Sequence, residues 1–160
     1  MNAKLKTTAC ALLAALSLAA CGEPKESPEE AAVRALDFES VAQQTAESVT
    51  NPENYPLAED VSITLEENTI RIAAAVSDLM EKSAALDYAD TLVRQLNLYA
   101  SIADSAIKPA SKDYYGGLYD TYDLAIAIAP LSQVDNPDNW YIHDFVSAGM
   151  HTKQPIELQQ

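Results

Sequence analysis

Cysteine is almost absent from this chain. Cys10 and Cys21 are the only two in 160 residues, and both fall within the first 21. From Gly22 onward there is no thiol. That excludes an internal disulfide, a cysteine nucleophile, redox thiol chemistry and a zinc–thiolate site in the rest of the chain. Glycine is scarce too, with four residues (Gly22, Gly116, Gly117 and Gly149), and no glycine-rich phosphate loop occurs. Basic residues number 10 against 24 acidic ones. Such a balance argues against binding nucleic acid or anionic lipid headgroups through a basic patch. The two histidines, His143 and His151, stand two helical turns apart if helical, and no His-Glu-x-x-His or Glu-x-x-His pattern accompanies either. No Asp-x-Asp-x-Asp-Gly calcium loop and no Gly-x-Ser-x-Gly nucleophile elbow is present. These absences lead to the expectation of no metal, no cofactor and no catalytic centre.

The N-terminus is informative. Lys4 and Lys6 form a short positive region, and Ala9 to Leu16 is apolar throughout. That run suits the hydrophobic region of a secretory signal and is too short to cross a bilayer as a helix. Leu18-Ala19-Ala20-Cys21 follows. Leu-Ala-Ala-Cys at the end of such a segment resembles the lipobox of bacterial lipoproteins. The resemblance covers Met1 to Gly22. It implies cleavage before Cys21, attachment of diacylglycerol to its sulfur, acylation of the new amine (palmitate being a typical chain), and anchoring to a membrane outside the cytoplasm. Two or more acyl chains give stable anchoring, at about 0.8 kcal/mol per buried methylene. Gly22 stands where an aspartate would resemble the inner-membrane retention signal of enteric Gram-negative bacteria. In a Gram-negative source this favours the outer membrane and the periplasm.

Cleavage at that point leaves Cys21 to Gln160. All 24 acidic residues and eight of the 10 basic ones remain, for a net charge of −16. The simplest role of this charge is solubility, and it is also compatible with a basic partner. Residues 21–27 read as a lipidated tether, with Pro24 in it. Six residues span at most roughly 20 Å at ~3.3 Å per residue, so whatever the domain binds must lie near the membrane.

The pattern beyond the tether predicts an all-α fold, a small bundle of about five helices over residues 28–152, with a loose tail at 153–160. Ser27-Pro28-Glu29-Glu30 is a capping box that starts a helix expected to reach Val49. Pro52 and Pro56 make a loop. Thr64-Leu65-Glu66-Glu67 reads as a second capping box, followed by a stretch to Ile107 without Gly or Pro. A break near Ala84 to Asp87 would divide it into two helices. Further helices are expected from Lys112 to Leu131 and from Asn136 to Ala148. Strand signals are few. Val61 to Leu65 alternates, but as one short run without a partner.

Two features point toward recognition. Asn51-Pro52-Glu53-Asn54-Tyr55 is echoed by Asn136-Pro137-Asp138-Asn139-Trp140, with Leu57, Glu59 and Val61 matching Ile142, Asp144 and Val146. Capping chemistry explains most of this echo; a duplicated pair of aromatic corners is the alternative. Seven of the 11 aromatic residues lie between Tyr114 and Phe145. Tyr115, Tyr119, Tyr122 and Ile126 would share a helical face, and Gly116-Gly117 would permit close approach of another backbone or a ligand. A core-facing tyrosine stripe is the plainer reading.

The leading expectation is therefore a non-catalytic interaction module of adaptor, pilot, immunity or exclusion type. It would be held to the membrane through Cys21 and would bind an envelope protein through Tyr55, Tyr114, Tyr115, Tyr119, Tyr122, Trp140 and Tyr141. A lipoprotein with an aromatic-lined site for a sugar or apolar molecule is the first alternative, and an envelope enzyme with an unfamiliar site is the second.

Overall fold

The computed structural model describes residues 26–150 and 156–159. The chain forms a four-stranded mixed sheet with helices packed on one face, and is not an all-α bundle. The element order is α1 (Pro28–Ala35), α2 (Phe38–Val49), β1 (Ala58–Glu66), β2 (Thr69–Val76), α3 (Lys82–Ala103), α4 (Leu118–Thr121), β3 (Asp123–Pro130) and β4 (Ile142–Val146). The strands lie side by side in chain order. β1 and β2 are antiparallel, β2 and β3 parallel, β3 and β4 antiparallel.

The N-terminal capping box forms as its chemistry requires. The Glu30 amide donates to Ser27 Oγ at 3.2 Å, and the Ser27 amide to Glu30 Oε2 at 2.7 Å. The helix it starts does not run through to Val49. It stops at Leu36, and Asp37 caps a second helix by accepting the Ser40 amide at 3.2 Å. The bend lets Ala32 and Val33 of α1, and Val41, Ala42, Thr45 and Val49 of α2, all face the core.

The second expected capping box lies inside β1, and the alternation of Val61 to Leu65 is the true signal. It continues on β2, where Ile70, Ile72, Ala74 and Val76 are buried. The hairpin between them has no glycine. Glu67 takes the left-handed conformation itself, at φ 55°, at a cost of roughly 1–2 kcal/mol. A turn without Gly or Pro leaves no break in composition, so the segment resembled helix. The expected helix from Lys112 to Leu131 is instead a loop, the single turn α4 and β3. Leu124, Ile126 and Ile128 of β3 are buried with period two, and the intervening alanines face the other way. The expected last helix is a one-turn 3-10 helix, Pro137–Asn139, followed by β4.

α3 is one continuous helix from Lys82. The break expected near Ala84 to Asp87 falls just inside its start. Ala85, Tyr88, Ala89, Leu92, Val93, Leu96, Asn97 and Ala100 form its buried stripe. The tail is not loose where it is described, since Ile156 is buried in the core and the Gln159 amide donates to the Tyr141 carbonyl at 2.9 Å.

One polar side chain fixes the return from α3 to β3. Asn97 is fully buried; its Nδ2 donates to the Lys108 carbonyl at 2.9 Å and its Oδ1 accepts the Leu118 amide at 3.1 Å. Gly116, at φ +118°, passes so close that a Cβ there would sit 2.0 Å from the Asn97 side chain. Replacing Asn97 by leucine leaves the buried Leu118 amide without its partner, while the Lys108 carbonyl keeps the Gly117 amide at 3.0 Å. Urea unfolding of Asn97→Leu should show a loss of about 1–3 kcal/mol, the cost of one orphaned buried group.

Candidate interaction surfaces

The tyrosines from 114 to 122 do not form one exposed face. Tyr115, Tyr119 and Tyr122 are buried. The Tyr119 hydroxyl donates to the Val93 carbonyl at 2.8 Å, and the Tyr115 hydroxyl accepts the Ile156 amide at 3.5 Å. The Tyr114 hydroxyl, half-buried, donates to Asp120 Oδ2 at 2.5 Å. Arg94 holds the loop before them. Its guanidinium donates to the Ser111, Lys112 and Tyr114 carbonyls, pairs with Asp90 at 2.6 Å, and lies 5.1 Å from the Tyr115 ring centre. The two glycines do allow close approach, but of this chain's own Asn97 and Glu29.

The remaining aromatic candidates stand at the two Asn-Pro corners. Both corners lead into edge strands, β1 and β4, and Val61 and Val146 point inward at matching positions. The registers place both strand starts beside the ends of β2 and β3. The corners therefore occupy the same end of the sheet and flank the loop from β2 to α3. Tyr55 is half-buried against Tyr88, with ring centres 5.9 Å apart, beside an open depression of about 250 Å³ that Met80 also lines. The Tyr141 hydroxyl donates to the Met80 carbonyl at 3.0 Å. Trp140 Nε1 donates to the Gln133 and Val134 carbonyls at 3.1 and 3.2 Å, and its ring packs edge-on to His143 at 5.2 Å.

Trp140 borders a surface that the sequence pattern did not suggest. Among the described residues the helices cover one face of the sheet and leave the other open. Ala73 and Ala75 of β2, with Ala125, Ala127 and Ala129 of β3, line two shallow depressions of about 470 and 200 Å³ there. Trp140 lies between the two, with His143 and Phe145 on one side and Val134 on the other. Phe145 and Val134 are 48% and 40% exposed, enough to offer apolar area to a partner. The signal for this face was the Ala-x-Ala alternation, which helix-favouring alanine disguised.

A second apolar groove, of about 690 Å³, runs between α2 and the outer edge of β1. Phe38, Ala42 and Ala46 line it from the helix, and Val61, Ile63 and Leu65 from the strand.

Among the described residues no cluster of three His, Cys, Asp or Glu side chains is placed to hold a metal ion. Ser105-Ala106-Ile107-Lys108 carries the serine–lysine spacing of some acyl-transfer sites. Lys108 Nζ pairs with Glu29 Oε2 at 2.7 Å, and that hydrogen bond raises its pKa, opposite to what a general base needs. No helix among the described residues is long and apolar enough to cross a membrane. Cys21 and the expected cleavage site lie outside the described residues. No protein family, characterised protein or solved structure matches the chain.

The buried tyrosines have a measurable consequence. Burial raises the pKa values of Tyr88, Tyr114, Tyr115 and Tyr119. Between the unfolded value near 10 and the raised folded values, the unfolded chain holds fewer protons than the folded one, so stability falls as pH rises. Tyrosinate absorbance for these groups should appear together with loss of far-ultraviolet circular dichroism above about pH 10. Full tyrosinate formation in a chain that keeps its native spectrum would contradict this.

Proposed function

We propose that this protein is a lipid-anchored, non-catalytic interaction module of the cell envelope, which docks another envelope protein through the open face of its sheet. The observation that carries the reading is that face: an alanine platform with Trp140, His143 and Phe145 along one side and, among the described residues, no helix over it. Small side chains let a partner approach the sheet closely, while the aromatic border supplies contact area at little cost in side-chain entropy. A rigid sheet also presents this surface without prior ordering.

The position of α1 supports the anchored geometry. Glu29 pairs with Lys108 and accepts its amide at 3.0 Å, and α1 packs on α4, which leads into the start of β3. α1 therefore stands at the end of the sheet opposite the two Asn-Pro corners. α3, at 22 residues, spans about 33 Å at ~1.5 Å per residue. A chain anchored through Cys21 would hold the Trp140 end of the open face away from the lipid surface, toward a partner.

Two experiments test the two halves of this reading. Replacing Cys21 by serine should abolish incorporation of labelled palmitate and release the protein from the membrane fraction; retention of both would remove the anchor. A photo-crosslinking residue at Phe145 should capture a discrete partner in intact cells, whereas one at Lys112 should not. Ala127→Arg, which places a charge on the platform, should eliminate the Phe145 adduct while leaving the unfolding midpoint nearly unchanged. An adduct insensitive to Ala127→Arg, or none at all, would rule out the open face as the docking surface.

A further inference from the structure

We infer that the groove between α2 and β1 is a second binding site, separate from the open face, that takes an extended peptide segment by strand addition. The geometry also assigns the character of the segment: apolar at its centre and basic at both ends.

The backbone supplies the first argument. Among the described residues β1 is an edge strand, hydrogen-bonded to β2 on one side only. Natural edges are commonly blocked by lysine or proline. β1 has neither in Ala58–Glu66. An incoming strand would continue the sheet and make main-chain hydrogen bonds to that free side.

The side chains supply the second. Facing the groove, Phe38 and Ala46 of α2 and Ile63 and Leu65 of β1 are only partly buried. Apolar residues at alternate positions of an added strand would cover them, because successive side chains point to opposite faces.

Charge decides the occupant. Between Arg34 and Arg71 the chain holds eight carboxylates and no lysine or arginine. Glu39 lines the groove, and Glu47 lies two turns further along the same helix, bonded to Gln43 at 3.0 Å. Along β1 the centre, Val61 to Leu65, is uncharged, while Glu59-Asp60 and Glu66-Glu67 flank it. Arg71 compensates only Glu66, at 2.7 Å. The uncharged centre spans five residues, about 17 Å at ~3.4 Å per residue. A second copy of this chain is a poor occupant, since pairing two β1 edges in either direction sets carboxylates against carboxylates. A segment with lysine or arginine outside an apolar core of about that length satisfies both ends.

A random nonapeptide library displayed on phage, panned against the full chain in detergent micelles, tests this. Enriched sequences should alternate apolar residues at the centre and carry basic residues at the ends. The matching synthetic peptide should shift the amide resonances of Val61 to Leu65 and protect amides of β1 from exchange. Its affinity should fall about tenfold or more with Ala46→Arg, with Glu39→Lys/Glu47→Lys, and with a proline at the peptide centre. Ala127→Arg on the open face should leave it unchanged, so failure here and failure of the open-face reading are told apart. Three outcomes would overturn the inference: no enrichment of basic sequences, resonance shifts confined to the open face, or equal binding of the proline peptide.

Discussion

The parallel pairing of β2 with β3 is the constraint on which the rest of the structure depends. Parallel neighbours cannot be joined by a tight turn, so the chain must leave the sheet, cross its face and come back in register. α3 makes the crossing and buries the inward side chains of the sheet on the way. The return is fixed by Asn97, which holds Lys108 and Leu118 together while Gly116 passes beneath it. Arg94 and the buried tyrosines complete the same junction from above. Without that clasp, β3 would have no defined place to start, and β4, which pairs only with β3, would lose its template.

The same arrangement explains why the surfaces fall where they do. Among the described residues one helical layer covers one face of the sheet and none covers the other. Both outer strands begin at Asn-Pro corners and end the sheet on either side. β4 is partly supported by the C-terminal segment, through Glu157 donating to Asp144 at 2.9 Å and Gln159 donating to Tyr141. β1 has α2 near it but, among the described residues, no backbone neighbour on its outer side. The two edges therefore differ: an acidic groove without cations from α2 or β1 runs along β1, while the C-terminal segment borders β4.

Several parts of this were legible in the residues. The capping box at Ser27 and the loop at Pro52 and Pro56 follow from local chemistry, and local chemistry survived folding. The strands were not legible, for reasons that can be named. β3 is built of Ala and Ile in alternation, and alanine favours helix strongly enough to mask a period of two. The hairpin turns on Glu67 rather than glycine. The Thr64 capping pattern arose by chance within a strand. Of the aromatic candidates, Trp140 lies on the open face, Tyr55 and Tyr141 stand at the corner end, Tyr114 is half-buried, and Tyr115, Tyr119 and Tyr122 are core. Of the residues that complete the open face, the alanines carried only the disguised Ala-x-Ala alternation and Phe145 carried no signal, because a platform becomes visible only once adjacent strands are placed side by side.

The sequence by itself determined the features that depend on covalent order and composition. These are the expectation of a lipid anchor at Cys21, the lack of any thiol after it, the acidic charge and the start of the first helix. Tertiary structure alone decided which tyrosines are buried, which sheet face stays open and which edge is free. Those properties arise from contacts between residues far apart in the chain. The burial of an alanine or a tyrosine is set by what packs across from it, and no local pattern carries that information.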